Sequence, residues 1–180
     1  MVLAAVFTVV SVHADLRLGL YPGANFYGNL EIETVGFEIT LRGDWRPPFL
    51  ADSVPALELT ADLGYSVVDL GAGVQNGVVV LVGGQYHLDT PVDRLYVTPG
   101  FSLGGQYSFF SSDSEDVDPA PGFVMRPQVE VGYEIAPALR LAAWTAFRLA
   151  FFAADGEDAT ERSLLAGVAL RYRITSSVTE

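Results

Sequence analysis

The chain of 180 residues has no cysteine, which excludes a disulfide framework and a thiolate metal site. Lysine is also absent, so all ten basic residues are arginines, and they face 22 acidic residues. The resulting net charge is −12, and the sequence contains no cluster of basic residues. Because phosphate binding needs clustered positive side chains, this composition argues against nucleic acid as a partner.

Long apolar runs are missing as well. A transmembrane helix needs about 20 mostly apolar residues, and the best candidate, Ala138 to Ala154, contains Arg140 and Arg148. Nevertheless, half of the residues are hydrophobic and the mean hydropathy is +0.32. A soluble domain rarely combines an apolar excess with so much charge. A β-barrel in lipid does, because its apolar side chains face outward and its charges lie in the lumen and loops.

The first fourteen residues form an apolar run that ends at Val12-His13-Ala14. This is the length of the apolar region of a signal peptide, and the small residue before Asp15 suits cleavage there. We therefore expect residues 1–14 to be a signal-peptide remnant and residues 15–180 to form one barrel domain. The positively charged start of a signal peptide is missing, and an additional β-strand is the alternative interpretation.

The rest of the sequence alternates between apolar and polar residues with a period of two, which is typical of strands with two different faces. The predicted strands exceed the usual soluble length of about 5–6 residues and suit a tilted crossing of about 9–11 residues. The prediction is an all-β fold, an antiparallel up-and-down transmembrane β-barrel of eight strands, with ten as the alternative. The strands are predicted at about 15–21, 30–42, 56–67, 77–88, 94–109, 123–135, 139–152 and 162–174.

Turn signals punctuate this pattern. Pro22-Gly23-Ala24-Asn25 and Asn76-Gly77 are predicted as turns. A change of phase near Thr34 suggests a bulge or a later start of the second strand. Short connections after the fourth and sixth strands suit a barrel with its N-terminus in the periplasm. The long connection from Gly43 to Pro55 does not suit that arrangement.

The last predicted strand contains Gly167-Val168-Ala169-Leu170-Arg171-Tyr172, and residues 132–141 read as a tight hairpin. Together with the strand count, these segments resemble the small bacterial outer-membrane barrels of the OmpX, OmpW and OmpA-barrel type. The resemblance implies an outer-membrane location and a monomer surrounded by outer-membrane lipid. It also implies that Gly167, Leu170 and Tyr172 act as a closing-strand signal for the barrel-assembly machinery.

The polar faces of the predicted strands carry charges of both signs. One interpretation is an ion-selective pore. We favour a packed polar network, because side chains can fill an eight-stranded lumen and arginine pairs bidentately with carboxylates. The residues assigned to this lumen network are Arg17, Glu38, Arg42, Glu58, Asp62, Glu130, Glu134, Arg140, Arg148, Arg171 and Arg173.

Two acidic segments, Ser111 to Gly122 and Ala153 to Glu161, are predicted as surface loops whose deletion leaves folding intact. Their oxygen ligands could suit calcium or magnesium, but their spacing matches no EF-hand, and solvated loops are the preferred interpretation. No metal or cofactor is expected. The acidic residues are Asp113, Glu115, Asp116, Asp118, Asp155, Glu157, Asp158 and Glu161. Aromatic residues near strand ends suggest interfacial girdles, namely Tyr21, Tyr65, Tyr86, Phe109, Tyr133, Phe151, Phe152 and Tyr172.

The sequence therefore predicts a non-enzymatic outer-membrane barrel with a structural or surface-interaction role. The next interpretation is a narrow pore, or the passage of small hydrophobic molecules that the resemblance to OmpW implies. A soluble lipocalin-like carrier remains an alternative, because alternation alone does not say which face is inside. An outer-membrane lipid hydrolase is a third class. Its site would need His87, which has Asp89 nearby and no obvious partner serine.

Overall fold

The computed structural model describes residues 15–29, 32–69, 73–111, 117–154 and 157–174, so the predicted signal remnant lies outside the described residues. The described part contains nine strands and one short helix. No helix in it is long and apolar enough to cross a membrane. The elements are β1 (Asp15–Asn29), β2 (Ile32–Arg46), α1 (Pro48–Ser53), β3 (Leu57–Asp69), β4 (Val74–Tyr86), β5 (Leu88–Asp89), β6 (Leu95–Ser111), β7 (Val117–Ala136), β8 (Leu139–Ala154) and β9 (Glu157–Ile174).

Eight long antiparallel strands close into one barrel. The sheet runs β4-β3-β2-β1-β9-β8-β7-β6, and pairing between β4 and β6 closes it. The two-residue strand β5 also pairs with β6 and continues β4 after a break at His87. Each of the eight long strands pairs with the long strands next to it in the chain, and β1 also pairs with β9. The prediction of an eight-stranded up-and-down barrel is confirmed.

The two faces of the wall have opposite chemistry. Along β2, Leu41 is 51% exposed and the adjacent Arg42 is 3% exposed. The same alternation places apolar side chains outside and charged ones inside on the other strands. A soluble carrier needs the reverse arrangement, so the lipocalin-like alternative is wrong. Outward-facing apolar residues include Leu20, Phe37, Ile39, Leu63, Val80, Val82, Leu103, Phe123, Val131, Leu141, Leu164, Val168 and Leu170.

The barrel has two different ends, which we call the turn end and the loop end. The turn end carries the start of β1, α1, residues 87–94, the turn at Pro137 and Ala138, and the end of β9. The loop end carries the connections at 30–31, 70–73, 112–116 and 155–156. Both ends of the described chain therefore lie at the turn end, as an even number of strands requires.

Pro22 to Asn25 lie inside β1, so the predicted turn is wrong. β1 keeps one register against β2 from Asp15–Arg46 to Asn29–Ile32, which also removes the bulge expected near Thr34. Pairing with β2 along the whole segment, and with β9 from Gly23 to Asn25, holds these turn-favouring residues extended. Here tertiary pairing overrides local propensity.

Asn76 and Gly77 are likewise strand residues, in β4, rather than a hairpin turn. They pair with Val67 and Ser66 of β3. Asn76 accepts a hydrogen bond of 2.7 Å from the Tyr65 hydroxyl. A Cβ at position 77 would lie 2.7 Å from the Ser66 hydroxyl oxygen, so glycine provides room across the ladder.

The connection between β2 and β3 is shorter than the sequence suggested, because β2 extends to Arg46. Pro47 and Pro48 then stop the ladder, since proline has no N–H to donate. The six-residue helix α1 fills most of the remaining connection. This connection therefore exceeds a short turn mainly by α1, which is about one and a half helical turns long.

Candidate functional site

Charged side chains cross the lumen as a chain of ion pairs that starts near the loop end. Arg148 on β8 donates to Glu38 on β2 at 2.8 Å and to Glu161 on β9 at 3.0 Å. Arg126 on β7 donates to the second oxygen of Glu38 at 3.2 Å and pairs with Asp62 on β3. Glu38 thus lies between two guanidinium groups, and residues from five strands are tied together.

Arg42 extends this chain towards the middle of the lumen. Its guanidinium donates bidentately to Asp62, at 2.6 and 2.9 Å, and donates to the Gln128 amide oxygen at 2.6 Å. The same guanidinium lies 4.5 Å from the centroid of the Tyr21 ring. The Tyr21 hydroxyl donates to Glu130 at 2.8 Å. Tyr21 therefore joins the loop-end half of the network to the turn-end half.

Arg171 on β9 is the centre of the turn-end half. It donates to Glu130 at 2.8 Å and to Asp44, and it lies 3.5 Å from Glu58. Arg17 pairs with Glu58 from β1. Glu58 also accepts hydrogen bonds of 2.8 Å from Arg46 and Gln85.

The buried charges of the lumen balance. Among the described residues, five arginines and five carboxylates are buried. An unpaired buried ion would cost several kcal/mol, so the matched numbers make the polar interior tolerable. The network also ties together strands that the closed ladder places on opposite sides of the lumen, since its ion pairs join β2, β3, β7, β8 and β9. The buried ions are Arg17, Arg42, Arg126, Arg148 and Arg171 with Glu38, Asp44, Glu58, Asp62 and Glu130.

Eight of the eleven residues assigned to the lumen from the sequence are buried in it, and the other three lie on the same strand face at the turn end, where they are more exposed. Glu134 and Arg140 form a partly exposed pair of 3.1 Å at the turn end, where Arg140 stacks 4.8 Å from the Tyr96 ring centroid. Arg173 is exposed beside the end of β9.

Sequence reasoning missed several members of the network. Arg126 has the same strand phase as Gln128 and Glu130, and Asp44 the same phase as Arg42, so continued alternation could have found both. Tyr21, expected in an aromatic girdle, instead faces the lumen and is 2% exposed. Of the other girdle residues, Phe109 and Phe152 are half-buried, whereas Tyr65, Tyr86, Tyr133, Phe151 and Tyr172 are exposed.

The predicted closing-strand residues lie on β9. Leu170 and Tyr172 are exposed on the outer face. Gly167 has a separate packing reason, since a Cβ there would lie 2.1 Å from the Pro22 carbonyl oxygen. Their role as an assembly signal stays a prediction.

The acidic segments are mostly strand. β6 extends to Ser111, β7 begins at Val117, β8 extends to Ala154 and β9 begins at Glu157, so the predicted long loops are wrong. Glu161 lies on β9 and contacts Arg148. Asp118, Glu157 and Asp158 fall within strands, whereas Asp113, Glu115, Asp116 and Asp155 lie outside the described residues. Within the described ranges, no group of three or more His, Asp or Glu side chains could hold a metal ion.

His87 lines a cavity of about 220 Å³ at the turn end. Its Nε2 lies 3.3 Å from Asp89, its Nδ1 lies 3.5 Å from the Thr98 hydroxyl, and its ring packs 5.1 Å from the Tyr96 ring centroid. Burial, with Arg140 adding to it, lowers the pKa of His87 below its ordinary value, which favours the neutral ring. The neighbouring residue Thr98 is only 1% exposed. It is therefore poorly placed to attack a substrate.

A second cavity, which we call the cup, opens at the loop end. It has a volume of about 290 Å³. Below it, Arg148 pairs with Glu161 and Glu38 across the lumen. The residues lining the cup are Gln75, Ser108, Ala120, Phe152, Ala159, Thr160 and Glu161.

No protein-family model and no curated protein sequence matches this chain. Solved structures do match. Neisserial surface protein A (NspA) superposes with a TM-score of 0.72 at 13% identity, covering 90% of this chain and 99% of that one. The outer membrane enzyme PagL gives 0.56 at 12% identity, covering 88% and 99%. Ail, the attachment invasion locus protein of Yersinia pestis, gives 0.51 at 9% identity, covering 89% and 100%. The chain has the fold of the small outer-membrane β-barrels.

Proposed function

We propose that this chain is a closed outer-membrane barrel that does not conduct ions, has no catalytic activity, and serves a structural or surface-interaction role. The observation that carries the proposal is the balanced network of buried ion pairs across the lumen. It lies between the cavity at the turn end and the cup at the loop end.

An ion that crossed the lumen would have to separate these pairs. The guanidinium groups of Arg126, Arg148 and Arg171 are almost fully buried, and each contacts at least two carboxylates. Removing one partner of a buried pair costs about 3–5 kcal/mol. The network therefore acts as a plug that is built into the wall, and this supports a closed barrel over the narrow pore.

The outer surface supports the proposed partners. A belt of exposed apolar side chains surrounds the barrel, and outer-membrane lipid is the surface that such a belt needs. Each of the eight long strands in the described part of the chain pairs on both sides, so none of them offers its edge to a second copy, which supports a monomer. Barrel-assembly machinery that recognises β9 belongs to the same proposal.

The non-catalytic part of the proposal is supported by the surroundings of His87. The hydroxyl placed against its ring is that of the buried Thr98, and nucleophilic catalysis requires a base next to an accessible nucleophile. The likeness to PagL concerns the fold alone.

Conductance in planar lipid bilayers tests the closed lumen. We expect the wild-type barrel to show no stepwise current in concentrated KCl, because the ion pairs fill its cross-section. The double variant Asp62→Ala, Arg126→Ala removes one ion of each sign from the plug and should show steps. A reference porin, reconstituted in the same way, controls for insertion. Discrete steps from the wild-type protein would contradict the proposal.

A further inference from the structure

We propose that the cup at the loop end binds a single non-anionic pyranose ring, such as the terminal sugar of a glycan. This inference rests on the proposed surface-interaction role and names the ligand class for it. The observation is a cavity at the loop end, whose walls combine hydrogen-bonding side chains with one aromatic ring.

The size and shape of the cup suit one ring rather than a longer ligand. Its volume of about 290 Å³ lies near the lower end of small-molecule sites, which span roughly 300–1,000 Å³. The cup is open towards the loop end, and the pairing of Arg148 with Glu161 lies beneath it. A ligand therefore enters from outside the barrel and stops at the plug.

The polar wall offers both donors and acceptors. Gln75 supplies an amide, Ser108 and Thr160 supply hydroxyls, and Glu161 supplies a carboxylate. Arg148 holds Glu161 in place at 3.0 Å. The neighbouring hydroxyls of a pyranose each donate and accept hydrogen bonds, so they match such a mixed set. Side chains held in place before binding lose little freedom when the ligand arrives.

The Ser108 side chain in the cup wall is already held by a hydrogen bond from a neighbouring residue. Its hydroxyl oxygen accepts a hydrogen bond of 2.9 Å from the buried Gln106 amide. Since a hydroxyl both accepts and donates, this contact leaves the Ser108 proton to be donated to another acceptor. A ligand oxygen in the cup is such an acceptor.

The apolar wall is formed by Phe152 with Ala120 and Ala159. Phe152 packs against a buried apolar cluster that includes Leu81 and Val124, which supports its ring from below. A pyranose carries C–H groups on its ring face and hydroxyls around its edge. A supported aromatic ring beside hydrogen-bonding groups is therefore complementary to it.

The charge of the loop end selects against anionic sugars. Glu161 is the ionisable side chain that lines the cup, and Asp69 is exposed at the same end. The connections at 112–116 and 155–156 add further acidic residues in the sequence. Sulfated, phosphorylated and sialylated sugars would meet like charge on approach, whereas neutral and aminated sugars would not.

Saturation-transfer NMR on the full chain tests the proposal. The protein is refolded in a phosphocholine detergent, since maltoside detergents carry a pyranose of their own. The probes are glucose, galactose, N-acetylglucosamine and glucosamine, with N-acetylneuraminic acid and glucose 6-phosphate as anionic comparisons. We expect transfer to at least one non-anionic sugar and none to the anionic ones.

Variants locate the binding. Gln75→Ala removes one hydrogen-bonding group and should raise Kd roughly two- to tenfold. Phe152→Leu keeps an apolar side chain against the cluster, removes the aromatic face, and should weaken binding similarly. Asp89→Asn, at the opposite end, is the matched control and should leave Kd unchanged. A gel shift between boiled and unboiled samples checks that each variant is folded.

Three results would overturn the inference: no transfer to any of the four non-anionic sugars, equal binding of the anionic sugars, or equal weakening by Asp89→Asn and Gln75→Ala. The conductance result is separate. A barrel that conducts ions and still binds a sugar would refute only the proposal of a closed lumen. A barrel that does not conduct and binds none of the sugars would refute only the proposal of a sugar site in the cup.

Discussion

At the scale of single residues, Pro22 shows how the wall tolerates a missing backbone donor. Pairing between β1 and β9 stops after Leu20–Leu170 and resumes at Gly23–Gly167. Proline has no N–H, so the carbonyl of Val168, which faces Pro22 in this register, loses its ladder partner. The Trp144 indole N–H donates to that carbonyl at 3.1 Å. A side chain from β8 thus replaces the missing donor.

Gly23 makes this replacement possible. A Cβ at position 23 would lie 2.8 Å from the Trp144 ring, so any larger residue would displace the indole. The Tyr21 ring packs edge-on against the other side of Trp144, with centroids 5.9 Å apart. Pro22 and Gly23, whose local sequence predicts a turn, therefore accommodate the Trp144 side chain within the wall.

We predict that Trp144→Phe destabilises the barrel more in the wild type than in a Pro22→Ala background. Without the indole N–H, the Val168 carbonyl is unsatisfied inside the wall, which costs about 1–3 kcal/mol. The Pro22→Ala substitution supplies a backbone N–H and removes that part of the loss. Urea unfolding in lipid vesicles, followed by circular dichroism, measures the four free energies of the double-mutant cycle. The smaller ring volume of phenylalanine affects both backgrounds alike. If Trp144→Phe therefore lowered the free energy of unfolding equally in both, the indole N–H would not be replacing the missing proline donor.

The same scale shows what the sequence could and could not predict. Strand phase indicates that Arg126, Asp44 and Tyr21 face inward, and reading the alternation further would have found them. The ion-pair partners of such inward-facing side chains could not be predicted from strand phase. Glu38 and Arg148 are 110 residues apart, and their contact depends on the register and curvature of the closed barrel. No local pattern contains that information.

At the scale of elements, the sequence located every wall strand but shortened most of them. β7 has 20 residues and β9 has 18, because both continue through the acidic segments that looked like loops. Charge and proline do not end a strand where pairing with its neighbours compensates for them. Here β7 is paired with β6 through Pro121 and Ala120, so these residues stay extended.

This extension changes the expected effect of loop deletions. We predict that removing residues 113–116 leaves the barrel folded, because the deletion removes no described strand residue. Removing residues 117–122 should abolish folding, since it deletes pairings such as Ser108–Ala120 and Gly122–Phe152. The shift between boiled and unboiled samples on SDS gels reports both. If the second deletion retained the shift, the paired extension of β7 would be dispensable and the original expectation for the whole acidic segment would hold.

At the scale of the whole molecule, the unusual composition is explained by where the charges lie. Five arginines and five carboxylates are buried as partners in the lumen. The full sequence has 10 arginines and 22 acidic residues, so 5 arginines and 17 acidic residues remain outside the buried network. The large apolar side chains exposed on the outer face form the outer belt. The sequence alone could not decide this, because alternation of Leu41 with Arg42 suits a barrel of either polarity.

The two ends of the barrel differ enough to fix its direction in the membrane. Small outer-membrane barrels keep short turns in the periplasm, and the turn end carries the two-residue turn at Pro137 and Ala138 together with both ends of the described chain. The loop end carries the acidic connections. We therefore expect the loop end to face the outside of the cell.

Cysteine labelling tests this direction, because the chain has no native cysteine. We predict that Asp155→Cys, in a loop-end connection, reacts with a membrane-impermeant maleimide on intact cells. Asp93→Cys, at an exposed site of the turn end, should react only after the outer membrane is permeabilised. Leu41→Cys, on the outer belt, should stay unlabelled in both states because lipid covers it. The cysteine-free parent is the control for background. Labelling of position 93 on intact cells, with position 155 protected, would reverse the orientation and place the cup on the periplasmic side.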